Sequence, residues 1–233
     1  YPRGTSSGWA QLEQLELALQ AAEAADRPAW LILHIPPGIN PFSTWQQQQA
    51  GDPNAAASDW QEPFLESFCQ IIASHSNTVA GIFAGHYHNR SWQLIADPAT
   101  TNAVAAMQIA NGILYNHGNN PGFTVFAYDR QTFALLAEAT YSLDVASYEG
   151  TLDPDVPWSI RFSQNQGYGI PDLSPASLES AWSSMADFDS PPARHFNAEY
   201  SGDRTPCAMT GSNWPVYRNA IRYTTPTQFR NAP

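Results

Sequence analysis

Two apolar runs, Ala29–Leu33 (AWLIL) and Val79–Ala84 (VAGIFA), constrain this chain most, because each is short and each stops at a histidine motif. The first runs into His34-Ile35-Pro36-Pro37-Gly38, the second into Gly85-His86-Tyr87-His88. Short apolar runs bounded by turn residues read as buried strands. Between them lie a polar stretch and an amphipathic segment, Asp59–Ser74, that reads as a crossover helix. Strand, helix and strand in that order specify a parallel β-α-β unit, which puts the carboxyl ends of both strands on one edge of a sheet. Three imidazoles are therefore expected at that edge. Pro36 biases Ile35 away from helix and Gly38 allows a sharp exit, so His34 should sit on a stiff loop.

In extended backbone, residues i and i+2 project to the same side. On that basis His86 and His88 would each serve one of two neighbouring metal ions. Two-metal hydrolases hold their ions about 3.5–4 Å apart, with metal–imidazole bonds of about 2.0–2.1 Å. A lone histidine at a strand end is ordinarily a polar cap, and Gly-His-x-His also arises by chance. What favours metal is the conjunction of two strand-terminal motifs joined by a crossover of suitable length. Histidines alone suit zinc, iron or manganese.

These residues resemble the calcineurin-like metallophosphoesterases, whose later motifs are a strand-terminal His and a Gly-His-x-His. Within that superfamily the chain is most similar to the acid sphingomyelinase-like phosphodiesterases. His34–Gly38, the run Asn77–Ala84 into Gly85-His86, Asn120-Pro121-Gly122-Phe123 before a strand, and Ala139-Thr140-Tyr141-Ser142-Leu143 carry the likeness. It extends from about Leu12 to Tyr223 and is weakest in the C-terminal region. Tyr87 stands where Thr is common, which leaves both flanking histidines intact. The resemblance implies two divalent ions, with zinc the implied metal. His34 and His86 would bind one ion and His88 the other.

The family's earlier motifs are Asp-x-His, Gly-Asp-x-x-Asp, and Gly-Asn-His followed by an acidic residue; none occurs in the 233 residues. They would supply the bridging carboxylate, the remaining ligands and the acid for the leaving group, so no catalytic residue is assigned in this chain. The expectation is the C-terminal half of a two-sheet metallophosphoesterase sandwich flanked by helices, an α/β (α+β) fold with a small helical C-terminal region. The missing N-terminal half would provide the other ligands, and the chain alone would be inactive. The implied substrate is a small-molecule or lipid phosphodiester, sphingomyelin-like or a nucleotide, and the implied location is secreted or periplasmic. Two alternatives stay open. One is another metallophosphoesterase activity, on a phosphomonoester, polyphosphate or nucleotide; the other is a non-catalytic fragment that binds a partner.

Charge restricts partners further. All ten basic residues are Arg against 21 acidic ones, giving a net charge of −11. An acidic surface repels nucleic-acid backbones and anionic membranes, and no run of Arg offsets it. Nothing approaches a membrane span of about 20 apolar residues. Two cysteines make no disulfide framework; Cys69 lies on the apolar face of Phe64–Ile72 and reads as a buried thiol, while Cys207 cannot be paired. Asn89-Arg90-Ser91 fits the glycosylation pattern but abuts His88 and reads as a chance match.

Trp9–Ala25 reads as a surface helix, and Asn40–Ser58, rich in Gln, Ala, Asn and Pro, as a long loop beside the site. Strands are expected at Ser91–Ile95, Val104–Ile109, Gly122–Tyr128 and Phe133–Asp144, with turns at Asp97-Pro98 and Asn119–Gly122. Residues 1–146 form the catalytic-half unit, 147–157 a linker, and 158–233 a helical subdomain. The last has helices at Pro175–Asp187, Pro192–Tyr200 and Trp214–Tyr223, with aromatics that dock it on the parent domain. His75 reads as a helix C-terminal cap. His195 has no partner in the sequence. His117, in the polar loop Asn116–Asn120, is a candidate substrate contact.

Overall fold

The computed structural model describes residues 6–115, 117–148, 158–204 and 209–233. In chain order the first elements are α1 (Ser6–Ala24), β1 (Ala29–Ile32), α2 (Pro41–Gln49), α3 (Glu62–Ser74), β2 (Val79–Ala84), β3 (Ser91–Ala96) and β4 (Ala103–Ile109). There follow β5 (Gly122–Tyr128), β6 (Leu135–Ser142), β7 (Ser159–Phe162), α4 (Gln164–Tyr168), α5 (Pro175–Ser184), α6 (Pro191–Ser201), α7 (Trp214–Arg222) and α8 (Pro226–Arg230). The strands form two sheets, ordered β1-β2-β4-β3 and β5-β6-β7. The mixed α/β character expected from the sequence holds, with the helices concentrated before β2 and after β7.

In the four-stranded sheet β1 pairs parallel with β2, β2 parallel with β4, and β4 antiparallel with β3. Three strands thus run the same way, and the carboxyl ends of β1, β2 and β4 share one edge. Alternation along each strand divides the side chains between two cores. Ile82, Ile95, Met107 and Ile109 pack with Leu65, Phe68 and Ile72 of α3. Trp92, Leu94 and Ala106 face the other way, into Leu135 of the second sheet and Leu178, Phe196, Trp214 and Tyr217 of the C-terminal helices. The docking role expected of those aromatics is met. β3, at the sheet's edge, is nonetheless buried along its length. Thr224 covers it: its hydroxyl donates to the Leu94 carbonyl and accepts from the Ala96 amide, as a neighbouring strand would.

Three expectations need correction. The stretch 40–58 is not all loop, because Asn40 caps α2 by accepting from the Ser43 amide, with Pro41 in the first turn. That cap-and-proline signal was legible but outweighed by the absence of apolar periodicity. Residues from 158 onward are not purely helical, because β7 pairs with β6 and extends the second sheet. It is only four residues long and its burial does not alternate, so it has no strand pattern to stand out. β6 begins at Leu135 and not Phe133, which sits at φ 61° in the turn closed by Asp129. Of the expected linker, 149–157 lies outside the described residues, as does Cys207. Among the described residues no helix is long and apolar enough to cross a membrane.

Candidate metal centre at the carboxyl edge of the four-stranded sheet

The β1–β2 ladder continues past the strands: the Leu33 amide donates to the Phe83 carbonyl at 2.8 Å, and the Gly85 amide to the His34 carbonyl at 3.0 Å. His34 is therefore held beside the first residue of the second motif. Behind it the loop is tied down. Trp60 donates its indole N–H to the Ile35 carbonyl, and Gln93 its amide to the Ile39 carbonyl. Pro36, Pro37 and Gly38 are buried. Gly38 has φ 147°, and a Cβ there would lie 2.5 Å from the Gln93 side-chain oxygen. Only glycine satisfies both.

The second motif does not continue as strand. His86 and His88 have φ 71° and 63°, left-handed conformations that are uncommon for residues other than glycine. Each costs on the order of 1–3 kcal/mol and persists only where surroundings over-determine it. The expectation that i, i+2 spacing in extended backbone aims both rings one way is thus corrected: Gly85–Arg90 is a turn, and the rings go to different partners. His34 and His86 meet with ring centroids 5.2 Å apart at 78°. His88 meets His117 instead, at 4.6 Å and 84°. His117 reaches this edge because β4 runs parallel to β2, so its carboxyl end releases the following loop there. Gly112 permits the arrangement, since a Cβ on it would lie 3.0 Å from the Cβ and Cγ of His88.

Two imidazoles sharing a tetrahedral ion through bonds of about 2.1 Å have ring centroids roughly 5 Å apart. The His34–His86 separation fits that figure. Two nitrogens are half of a tetrahedral shell. Among the described residues no group of three or more His, Cys, Asp or Glu comes together to complete one.

Behind the turn lies a buried polar cluster that has no sequence signature. Arg90, 1% exposed, donates to the carbonyl of Ile109 and to Gln108, and its guanidinium faces Glu199 at 3.5 Å and Glu138 at 3.9 Å. Glu138 accepts from the Gln164 amide and the Thr140 hydroxyl; Glu199 accepts from the Tyr168 hydroxyl and the Gln164 side chain. Two carboxylates with one cation cannot both ionise cheaply out of water. Burial raises both above the ordinary carboxylate range, Arg90 opposing. Burial also raises the Tyr87 phenol, beside Asp59, and pushes the Cys69 thiol up to about 12. The thiol is buried and unpaired, as expected.

The remaining histidines have local explanations. His75 caps α3, and its Nδ1 lies 2.9 Å from Glu23 of α1. His195 packs edge-on against Tyr168 and Phe162, and burial lowers its basicity. Asn89 is buried, its amide donated to the Tyr200 carbonyl, so the glycosylation pattern there is not on an accessible side chain.

Residues 97–202 match the family model described as the acid sphingomyelin phosphodiesterase C-terminal region. The chain is 28% identical over 195 residues to human "Acid sphingomyelinase-like phosphodiesterase 3b", a match covering 80% of this chain and 40% of the relative. It is 30% identical over 173 residues to human "Cyclic GMP-AMP phosphodiesterase SMPDL3A", covering 72% and 35%. Against "Sphingomyelin phosphodiesterase B" of Dictyostelium discoideum it is 26% identical over 170 residues, covering 70% and 24%. The chain spans about 40% or less of the length of these curated relatives. Together with the strand-terminal histidine motifs meeting at one sheet edge, these matches make the chain similar, over most of its length, to the acid sphingomyelinase-like phosphodiesterases.

Proposed function

We propose that these residues form part of a metal-dependent phosphodiesterase in which His34 and His86 hold one divalent ion and His88 a second, with zinc the metal that the resemblance implies and that imidazole ligands accept. The observation that carries it is the edge-to-face approach of His34 and His86 across 52 residues of sequence, at the separation two ligands of one ion require. Bound there, the ions would act as Lewis acids toward the phosphate oxygens and the attacking water. The chain's own part is positional. The β1–β2 ladder fixes His34, the strained turn fixes His86 and His88, and the loop after β4 brings His117 against His88, where it would meet substrate. With a net charge of −11 and no run of Arg in the sequence, the ions would supply the local positive charge for an anionic substrate.

The substrate class follows from the relatives, whose names specify sphingomyelin and cyclic GMP-AMP, both phosphodiesters. Half-complete shells favour little or no turnover by residues 1–233 alone, the further ligands coming from outside them. By the same likeness the protein would work outside the cytoplasm. Hydrolysis of bis-(p-nitrophenyl) phosphate with zinc supplied tests this. A longer form carrying these residues should hydrolyse it and lose the activity to chelation and to His86→Ala, while residues 1–233 should show little. Hydrolysis that survives both treatments would overturn the proposal.

A further inference from the structure

The carboxyl end of α6 lies against both loops that carry the His88–His117 contact. Three successive carbonyls there, which a helix leaves without internal partners, are taken by two asparagines. Tyr200 O accepts from Asn89 Nδ2 at 3.1 Å, Ser201 O from the Asn120 amide at 2.8 Å, and Gly202 O from Asn120 Nδ2 at 3.0 Å. Asn89 directly follows His88, and Asn120 lies three residues beyond His117. Past the helix, Arg204 donates to the carbonyls of Tyr115 at 2.7 Å and Asn119 at 3.1 Å. Gly202 is left-handed at φ 63°, and a Cβ on it would come within 3.1 Å of the Asn120 Cβ.

We propose that the segment Tyr200–Arg204 is a clamp that sets the His88–His117 contact, with Asn89 and Asn120 as its positioning residues. Each loop also has short ties of its own: Asn119 accepts from the His117 amide and donates to the Leu114 and Asn120 carbonyls, and Arg90 anchors the chain two residues past His88. The His88 turn is strained; its backbone ties include the Gly85 amide to His34, the Tyr87 amide to Gly85 and the Gly112 amide to His88. The His117 loop exposes Ile113, Leu114 and Tyr115 to solvent, so apolar burial does not place it. Both loops, already joined by the Gly112–His88 bond, are tied to the end of α6. A helix in the core formed with Trp92 and Leu94 is a rigid reference, and hydrogen bonds to three carbonyls fix two loops relative to it in distance and direction.

The clamp can be tested without metal; only its consequence for affinity rests on the metal-site proposal. In residues 1–233, an inter-ring nuclear Overhauser effect should join His88 to His117, and another His34 to His86. In Asn89→Ala/Asn120→Ala the first should vanish and the second stay, with the thermal transition still cooperative. Persistence of the His88–His117 effect in the folded double variant overturns the clamp, as does its absence from the unsubstituted protein. Should the double variant fail to fold, Asn120→Asp keeps the backbone donor and the side-chain acceptor while losing the bond to Gly202. It should weaken the effect, and an unchanged effect contradicts the proposal. If the edge binds zinc, the double variant should bind it roughly tenfold more weakly by titration calorimetry. Absence of zinc binding in the unsubstituted protein would count against the metal site and leave the ring contact to decide the clamp.

Discussion

The His34 carbonyl accepts the Gly85 amide at 3.0 Å, one rung beyond the last paired residues of β1 and β2. That rung joins two motifs 51 positions apart and makes the position of His34 a property of the sheet rather than of a flexible loop. Whatever disturbs the loop behind His34 should therefore be felt in the fold as well as at the edge.

Gly38→Ala should destabilise the protein by about 2–3 kcal/mol, because it adds a side chain to a left-handed backbone and drives it into Gln93. Urea unfolding followed by tryptophan fluorescence measures this. A midpoint unchanged from the parent would mean that the loop is not tied to Gln93.

The buried Glu138–Glu199 pair makes stability depend on pH with a definite sign. Their folded-state pKa values lie above the unfolded ones, chiefly through burial, so the folded state holds protons more tightly. The contribution is fully present below the ordinary carboxylate range and is lost as pH rises through the raised values. Glu199→Gln replaces one titrating group by a neutral one of the same shape, and should flatten the decline in stability from mildly acidic to neutral pH. Denaturant midpoints at several pH values check it; an equal slope in parent and variant would contradict the shared burial of the pair.

Cys69, with its thiol pushed up to about 12, should resist alkylation in the native protein at pH 8 and react on unfolding. Mass mapping of the Cys69 peptide after brief iodoacetamide treatment decides this. Rapid modification under native conditions would show that α3 opens readily.

The outward face of the three-stranded sheet carries Phe123, Val125, Trp158 and Ile160, all exposed, with Phe123 stacked on Tyr141 at 5.0 Å. The exposed end of β1 adds Ile32, 82% accessible. Contiguous apolar surface of this kind binds hydrophobic dyes and promotes association. Residues 1–233 should enhance anilinonaphthalene sulfonate fluorescence under native conditions, and Ile160→Asp should lower the signal. A native protein that ignores the dye would show that this face is covered.

What the sequence disclosed and withheld follows from the range of each interaction. The convergence of His34 and His86 was legible because two short apolar runs, each ending in histidine, leave few ways to arrange a parallel unit. The orientation of His88 was not, because alternation applies only within a strand, and nothing in Gly85–His88 announces two left-handed residues. The loop of His117 was legible as a loop, but its place at the same edge depends on β4 pairing parallel with β2. The Arg90–Glu138–Glu199 cluster and the Asn89–Tyr200 bond join residues tens to 111 positions apart and have no local pattern. Helix α2 was missed because one capping signal competed with a composition that looks unstructured.

The most direct measurement of the central claim is an anomalous difference map from crystals of residues 1–233 grown with zinc, recorded on both sides of the zinc edge. The account predicts a peak between the rings of His34 and His86, about 2.1 Å from one nitrogen of each, absent from crystals of His86→Ala. A zinc-saturated crystal with no density at that edge, or a peak that survives His86→Ala, would contradict it.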